Sequence, residues 1–231
     1  MRKIGWAVAL STHICFGVSF IVSGHADNLP PGFIRLASIN SSIRQAIRYA
    51  TSDNFVGHPI PGYDVGECWL RREAAEALSL VQRDLLKKGL ELIVYDCYRP
   101  RRAVDYFLRW ARDPSDQSRK AEHYPAIDKS RLFIEGYLST VSAHSKGIAV
   151  DVGMARSVQG VQALDLGTPF DFLDPLSHTV SQLISKEAKQ NRLTLVAGMA
   201  QHGFRNYARE WWHFTLTDMD GAQSFDIPIQ P

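Results

Sequence analysis

The segment SAHSKGIAVDVGM, residues 142–154, holds one histidine and one aspartate seven positions apart in an otherwise apolar run that glycine interrupts. Its part GIAVDVGM, residues 147–154, predicts a buried strand, because it is short, apolar and bounded by glycine. His144 would then lie in a turn before the strand, and Asp151 would lie within it. The two side chains therefore need an explanation in terms of what they bind.

The composition of the chain favours one globular domain. The sequence has 231 residues, of which 45% are hydrophobic and 22% are charged, so it can bury a substantial core. Its 26 basic and 24 acidic side chains give a formal net charge of +2. This balance argues against nucleic acid as a partner, because a protein that binds phosphate backbones carries a basic excess.

The N-terminus has the layout of a secretory signal. The basic start MRK is followed by a long apolar run and then by SGHADN, which indicates cleavage after Ala26. Residues 1–26 would be the signal peptide, residues 27–231 would form the mature domain, and the protein would be exported, with the periplasm as its expected location. A retained membrane anchor is the alternative, although Ser11, Thr12 and His13 interrupt the apolar run.

Two cysteines, Cys68 and Cys97, remain after removal of this signal. An even pair in an exported protein permits a disulfide bridge. Two free cysteines are equally compatible with the sequence, because cysteine is among the most frequently buried residue types. The sequence leaves both alternatives open.

Helices and strands are mixed along the chain, which predicts an α+β fold. Apolar residues recur at helical spacing from Glu67 to Lys88, and Gly89 ends that helix. The run LELIVYD predicts a buried strand that ends at Asp96, and Pro100 begins the helix PRRAVDYFLRWARD. A further helix is predicted from Ser185 to Gln201, and EWWHFTL, residues 210–216, predicts a last strand.

Other segments have weaker patterns. Residues 41–55 are compatible with a short helix or an extended stretch, and residues 156–180 form a long excursion rich in Gly, Pro, Asp and Ser. His58, His123, His178 and His202 have no partner at an informative spacing, so we expect them at the surface or behind the site. Trp211 and Trp212 are expected in the core or in the wall of a pocket.

Chemically reactive residues occur next to three of the predicted strands. Arg99 follows the first, His144 and Asp151 flank the second, and Glu210 stands three residues before His213 in the last. Polar groups near strand ends of an antiparallel sheet can converge on one rim. Two histidines and one carboxylate form a three-ligand set for a catalytic zinc, with a fourth position left for water. A His-x6-Asp spacing also occurs by chance, and the motif EWWHF is what strengthens the hypothesis.

The motifs SAHSKGIAVD, EWWHF and YDCYRP together resemble the VanX-type D-alanyl-D-alanine dipeptidases, which are zinc peptidases of the D,D-peptidase/Hedgehog fold group. The resemblance covers most of the mature chain. It extends to YATSDNF, GYDV, RRAVDYFLRWARDP, HYPAIDKS and FDFLD, in the same order. It implies a central antiparallel sheet with flanking helices.

The resemblance also implies residue roles. One zinc ion per chain would be held by His144, Asp151 and His213, with Glu210 as the catalytic base and Arg99 as the arginine that stabilises the transition state.

Three further positions match family residues that contact the substrate backbone and its free amino end: Ser142, Tyr49 and Asp171. The match at Asp171 requires a one-residue insertion in the preceding segment, residues 155–168.

The function implied is zinc-dependent hydrolysis of D-alanyl-D-alanine in cell-wall metabolism, with a small D,D-dipeptide as the partner. One alternative is a carboxypeptidase or endopeptidase of the same fold that acts on longer peptidoglycan stems. Another is a zinc-stabilised binding protein without activity. Glu210 and Arg99 argue against this last alternative, because a binding module needs neither. The oligomeric state stays open.

Overall fold

The computed structural model describes Met1 and residues 28–157, 162–219 and 221–231. The predicted signal peptide, apart from Met1, and its cleavage after Ala26 lie outside the described residues. Among the residues described, no helix is long and apolar enough to cross a membrane.

The chain forms short strands and helices that alternate along most of its length. The strands are β1 (Phe33–Arg35), β2 (Arg44–Gln45), β3 (Trp69–Arg71), β4 (Leu90–Asp96), β5 (Ala149–Arg156), β6 (Gln162–Ala163), β7 (Phe204–Asn206) and β8 (His213–Leu216). The helices are α1 (Leu36–Ile39), α2 (Arg72–Leu86), α3 (Arg101–Arg112), α4 (Lys120–His123) and α5 (Lys186–Ala200). Turns of 3-10 helix occur at Arg48–Ala50, Lys129–Arg131, His144–Lys146 and Pro175–Ser177.

The main sheet has six strands, and the predicted α+β class is confirmed. Five strands lie in the order β2-β4-β5-β8-β7, and β6 pairs with β5. The pairs from β4 to β7 are antiparallel, as predicted, whereas the edge strand β2 runs parallel to β4. The register sets Asp151 opposite Asp96 on one side and opposite His213 on the other. Three strands thereby bring polar residues to one region of the sheet.

Helices flank this sheet. The buried face of α2 includes Leu78, Val81 and Leu85 at helical spacing, and the helix packs against β4 and α5. Ser185 caps α5 by accepting a 3.0 Å hydrogen bond from the Ala188 amide, so α5 lies within one residue of its predicted bounds. The strand LELIVYD and the helix after Pro100 are confirmed.

The strand predicted over residues 147–154 lies two residues later, at Ala149–Arg156, and two other predicted boundaries are wrong by more than that. The helix predicted from Glu67 begins only at Arg72, because residues 69–71 pair with β1 in a two-stranded sheet. Helical spacing cannot reveal a partner strand that lies more than thirty positions away in sequence. The last strand begins at His213, because Glu210 occupies a tight turn in which its amide donates to the Tyr207 carbonyl and its carbonyl accepts from the His213 amide.

The structure resolves the cysteine question in favour of a bridge. Cys68 and Cys97 form a disulfide with a Cα–Cα distance of 5.2 Å. Cys68 directly precedes β3, and Cys97 directly follows β4. The bridge therefore joins the small sheet to the large one at the end of β4, where Arg99 also lies.

Candidate active site

A cavity of about 300 Å³ opens beside the strands β5 and β8. This volume is at the lower end of the range for small-molecule sites, roughly 300–1,000 Å³. The structure brings all eight residues named from the sequence to its wall: Tyr49, Arg99, Ser142, His144, Asp151, Asp171, Glu210 and His213.

Three of these side chains form a compact cluster of possible metal ligands. His144 lies in a 3-10 turn, Asp151 lies on β5 and His213 begins β8. His144 Nε2 is 3.3 Å from Asp151 Oδ1 and 3.1 Å from His213 Nδ1, and His213 Nδ1 is 3.1 Å from Asp151 Oδ1. Ligand bonds of about 2.0 Å in a tetrahedral zinc site place neighbouring donor atoms about 3.3 Å apart. The cluster therefore has the dimensions that such an ion needs.

Hydrogen bonds on the far side of each ring assign the tautomers of the two histidines. His144 Nδ1 lies 2.6 Å from the Cys97 carbonyl oxygen, to which it donates. His213 Nε2 lies 3.2 Å from Thr215 Oγ1, to which we assign the second donated bond. Both remaining ring nitrogens then direct lone pairs towards Asp151 Oδ1. The two ring nitrogens and the carboxylate oxygen then face one another without a hydrogen between them, an arrangement that fits a bound cation. Hydrogen bonds from the far nitrogen of a ring, like those to Cys97 and Thr215, commonly orient histidine ligands.

The charge states of the cluster also suit a metal. Although burial would raise the pKa of Asp151, positive charge on the adjacent His144 and His213 holds that pKa well below its usual range, and a bound cation would supply the positive charge when both histidines are neutral. Burial lowers the pKa of His213, which favours the neutral imidazole. An ionised carboxylate and a neutral imidazole are the forms that coordinate metals.

A buried ion pair holds Arg99 at the cavity. Its Nε and Nη2 donate to Asp96 Oδ2 at 3.0 and 2.9 Å, and Nη2 lies 3.6 Å from Asp151 Oδ2. Asp96 also accepts a 2.8 Å hydrogen bond from the Tyr63 hydroxyl. Asp96 is a site residue that the sequence reasoning missed, since it was noted only as the end of a strand. A carboxylate that ends an apolar strand three residues before the arginine was the available signal.

Glu210 presents its carboxyl group to the cavity from the turn before β8. Within the described ranges, no donor forms a hydrogen bond with this carboxyl group. Burial, followed by the negative charges of Asp151 and Asp171, raises its pKa well above the usual value. The turn itself is held by Asn206, whose amide nitrogen donates to the Glu210 and His213 carbonyls at 3.0 Å. A fixed carboxylate with a raised pKa is suited to accept a proton.

Asp171 lies at another part of the cavity wall. The Tyr49 hydroxyl donates to Asp171 Oδ2 at 3.0 Å, and His123 Nδ1 donates to the Asp171 backbone carbonyl at 3.0 Å. Asp171 adopts a positive φ of 58°, which aspartate tolerates better than most residues. Burial and then the charge of Asp151 raise its pKa well above the usual range. His123, expected at the surface or behind the site, is therefore a buried support for Asp171.

The remaining predicted residues have clear positions. Ser142 Oγ accepts a 3.2 Å hydrogen bond from the His144 amide. Trp211 and Trp212 are both buried, and Trp212 lines the cavity. Three further histidines of the described residues bond to protein groups outside the ligand cluster: His58 to Tyr106, His178 to Tyr137, and His202 to Asp84.

Comparisons with known proteins find relatives along most of the chain. The family model described as D-ala-D-ala dipeptidase matches residues 30–228. A D-alanyl-D-alanine dipeptidase of Enterococcus faecium is 38% identical over 200 residues, which are 86% of this chain and 98% of the relative. One of Streptomyces coelicolor is 39% identical over 82% of this chain and 94% of the relative. One of Escherichia coli is 32% identical over 79% of this chain and 83% of the relative.

Proposed function

This chain belongs to the D-Ala-D-Ala dipeptidase family of peptidases, and we propose that it hydrolyses D-alanyl-D-alanine with a zinc ion held by His144, Asp151 and His213. The observation that carries the proposal is the cavity itself. Its lining combines a metal-ligand cluster with Glu210 and Arg99. A bound zinc ion supplies Lewis-acid chemistry, because it makes water easier to deprotonate and polarises a carbonyl group.

The protein's own groups handle the proton and the developing charge. Glu210 accepts a proton from the attacking water and passes it to the nitrogen of the departing D-alanine. Arg99 stabilises the negative charge that develops on the oxygen of the cleaved peptide carbonyl. Asp96 keeps the guanidinium in place through two hydrogen bonds, so Arg99 does not have to reorganise during the reaction.

The carboxyl group of Asp171 accounts for a preference for dipeptides. The free ammonium of a dipeptide can form a charge-assisted hydrogen bond with it. An acylated or longer peptide presents a neutral amide there, so the carboxyl group, whose pKa burial raises, gains no charge-assisted hydrogen bond. This difference favours the dipeptidase over the carboxypeptidase or endopeptidase alternative.

The substrate experiment compares four compounds on the purified, zinc-loaded protein, with released alanine as the readout. These are D-Ala-D-Ala, L-Ala-L-Ala, N-acetyl-D-Ala-D-Ala and a pentapeptide that ends in D-Ala-D-Ala. We expect D-Ala-D-Ala to be cleaved at least about a hundredfold more efficiently than its N-acetyl derivative. Equal rates on the pentapeptide and the dipeptide would favour the carboxypeptidase. Stoichiometric zinc without turnover of any compound would favour the binding protein.

The metal experiment measures zinc content together with activity. Dialysis against a chelator should remove both, and stoichiometric zinc should restore activity. His144→Ala, Asp151→Ala and His213→Ala should each lose zinc, because each removes one of only three proposed protein ligands. Wild-type zinc affinity in any of them would remove that residue from the ligand set.

We also propose that the protein is exported and meets its dipeptide in cell-wall metabolism outside the cytoplasm. The signal-like N-terminus and the Cys68–Cys97 bridge support this proposal, since disulfides persist mainly in oxidising compartments. Cell fractionation and the mass of the mature protein test it. A cytoplasmic protein that begins at Met1 would contradict both the export and the cleavage after Ala26.

A further inference from the structure

The disulfide bridge lies directly behind the metal-ligand cluster. Cys97 is the residue whose carbonyl oxygen accepts the 2.6 Å hydrogen bond from His144 Nδ1. It follows Asp96, the partner of Arg99, and stands two residues before Arg99 itself. The bridge thus holds a short segment that contacts His144 and leads directly to the proposed catalytic arginine.

We propose that the Cys68–Cys97 bridge is a positioning element of the metal centre, so that zinc affinity and turnover depend on its being oxidised. This proposal rests on the proposed function and extends it, because neither cysteine lines the cavity or belongs to the ligand cluster. The bridge acts through the Cys97 carbonyl and through the backbone that leads to Arg99.

The two cysteine side chains are tightly packed in the core, so the sulfur atoms cannot separate without displacing their neighbours. Both cysteines are 1% exposed. Bonded sulfur atoms lie about 2.0 Å apart, whereas two unbonded sulfur atoms require a separation of about 3.5 Å or more. Breaking the bond therefore forces the two side chains apart by more than about 1 Å inside a close-packed core that has little free space.

Two backbone hydrogen bonds connect this segment to the strand of Cys68 and to the turn of His144. The Tyr98 amide donates to the Trp69 carbonyl at 2.9 Å, and the Arg99 amide donates to the His144 carbonyl at 3.3 Å. The Trp69 carbonyl directly follows Cys68 in the chain, so a shift of Cys68 also moves the hydrogen bond to Tyr98. The second hydrogen bond passes any displacement of Arg99 back to the turn that carries His144. A shift at Cys97 consequently reaches the metal ligand by two routes.

Two consequences should be measurable. A displaced Cys97 carbonyl no longer fixes the His144 tautomer, and loss of such an outer hydrogen bond typically lowers metal affinity about 10- to 100-fold. A displaced Arg99 lowers kcat, because misplacement of a catalytic group by about 1 Å can cost about a hundredfold. Asp171 lies on a separate segment, so KM for the dipeptide should change less than kcat.

The first experiment compares the wild-type protein with the variant Cys68→Ala/Cys97→Ala, which lacks the bridge, so that the backbone at position 97 is no longer tied to position 68. The zinc dissociation constant is measured by competition with a chromophoric chelator, and kcat and KM are measured at saturating zinc. We expect about tenfold weaker zinc binding and a lower kcat in the double variant.

A matched control separates positioning from general destabilisation. Leu195 on α5 is fully buried and does not line the cavity. Leu195→Ala should lower thermal stability as a core cavity does, yet keep the wild-type zinc dissociation constant and kcat. An equal loss of zinc affinity in this control would show that the bridge acts only through stability and would overturn the proposal.

The second experiment reduces the native bridge. The wild-type protein is unfolded in urea with a trialkylphosphine and refolded in its presence, and a parallel sample is cycled without phosphine. The phosphine is oxidised to its oxide by taking up the oxygen of water, and the disulfide gains two electrons and two protons to become two thiols. Alkylation and mass measurement confirm two free thiols. We expect a larger loss of kcat than in the double alanine variant, because the reduced sulfur atoms must separate.

The outcomes distinguish this proposal from the proposed function. Unchanged zinc affinity and kcat in both the double variant and the refolded dithiol protein would overturn the positioning role, while leaving the dipeptidase assignment intact. A protein that binds zinc more weakly without the bridge but never cleaves D-Ala-D-Ala would support the positioning role and contradict the dipeptidase assignment. If the dithiol protein fails to refold, the double variant alone tests the proposal, and an unchanged zinc affinity of that variant would overturn the positioning role.

Discussion

At the scale of single residues, the environment assigns different tasks to carboxyl groups that the sequence presents as alike. Adjacent histidines hold the pKa of Asp151 low, although burial opposes this, whereas burial raises the pKa of Glu210 and Asp171. Separated pKa values of neighbouring acids are characteristic of sites where one group binds charge and another exchanges protons.

Glu210→Gln tests the role of the proton acceptor. The substitution keeps the size and shape of the side chain but removes the group that accepts the proton. We expect kcat for D-Ala-D-Ala to fall by about two to four orders of magnitude, with zinc content and the unfolding transition preserved. Turnover within a few fold of the wild type would assign the proton transfer to another group.

Asp171→Asn tests the cost of a buried carboxylate. Asparagine can still accept the Tyr49 hydrogen bond and tolerates a positive φ. Because the folded-state pKa of Asp171 is raised, its stabilising contribution is complete below the ordinary aspartate pKa of about 3.9 and is lost as the pH rises through the folded-state value. The free energy of unfolding of the variant, relative to that of the wild type, should therefore increase as the pH rises above about 4.

Urea unfolding of the chelator-treated proteins at several pH values measures this difference. A difference that stays constant with pH would mean that Asp171 ionises in the folded protein as it does in the unfolded chain. The same variant should discriminate less between D-Ala-D-Ala and its N-acetyl derivative, mainly through weaker binding of the free dipeptide.

At the scale of structural elements, the turn that carries His144 depends on one glycine. Gly147 ends the turn with φ +70°, and its amide donates to the His144 carbonyl at 2.9 Å. A Cβ atom on Gly147 would lie 2.2 Å from the ring of Phe33. The position therefore excludes a side chain for two reasons, the backbone conformation and the space available.

Gly147→Ala should destabilise the protein by about 2 to 4 kcal/mol, as the sum of left-handed backbone strain and overpacking. It should also weaken zinc binding, because the turn orients His144. Gly89→Ala is a matched control, since Gly89 has the same φ of +70° and nothing within 4 Å of the added Cβ. The control should lose only about 1 to 2 kcal/mol and keep its zinc affinity. Equal effects of the two substitutions would show that contact with Phe33 is unimportant.

At the scale of the whole molecule, the disulfide links two distant parts of the chain. It joins residues separated by 29 positions and connects the small sheet to the end of β4. Closing a loop of this length should restrict the unfolded chain enough to contribute about 3 to 4 kcal/mol to the free energy of unfolding.

Urea unfolding of the oxidised protein and of Cys68→Ala/Cys97→Ala measures that contribution. We expect a lower transition midpoint in the variant, with a steeper dependence on urea because its unfolded state is less restricted. Equal free energies of unfolding would show that the bridge has no net effect on global stability, and its effect on zinc affinity would then be purely local.

Much of the fold and of the site could be predicted. Helical spacing located α2 and α3, helix start and stop signals located α5, and a bounded apolar run located β4, because each of these signals is local. The helix predicted from Glu67 began too early, since pairing between β1 and β3 depends on a distant segment. Asp96 and Thr215 were missed for a related reason, because a residue becomes a partner of the site only through its position in the sheet.

By itself, the sequence determined which chemical groups are available: two histidines and an aspartate that suit a metal, a glutamate, and an arginine at the end of a strand. These are properties of side chains and of sequence motifs, which do not depend on how the chain folds. Only the tertiary structure decided that Asp151 stands between Asp96 and His213, that the Cys97 carbonyl orients His144, and that Cys68 reaches Cys97. The physical reason is that strand register and backbone carbonyl contacts arise from long-range packing, and every residue type carries the same carbonyl group.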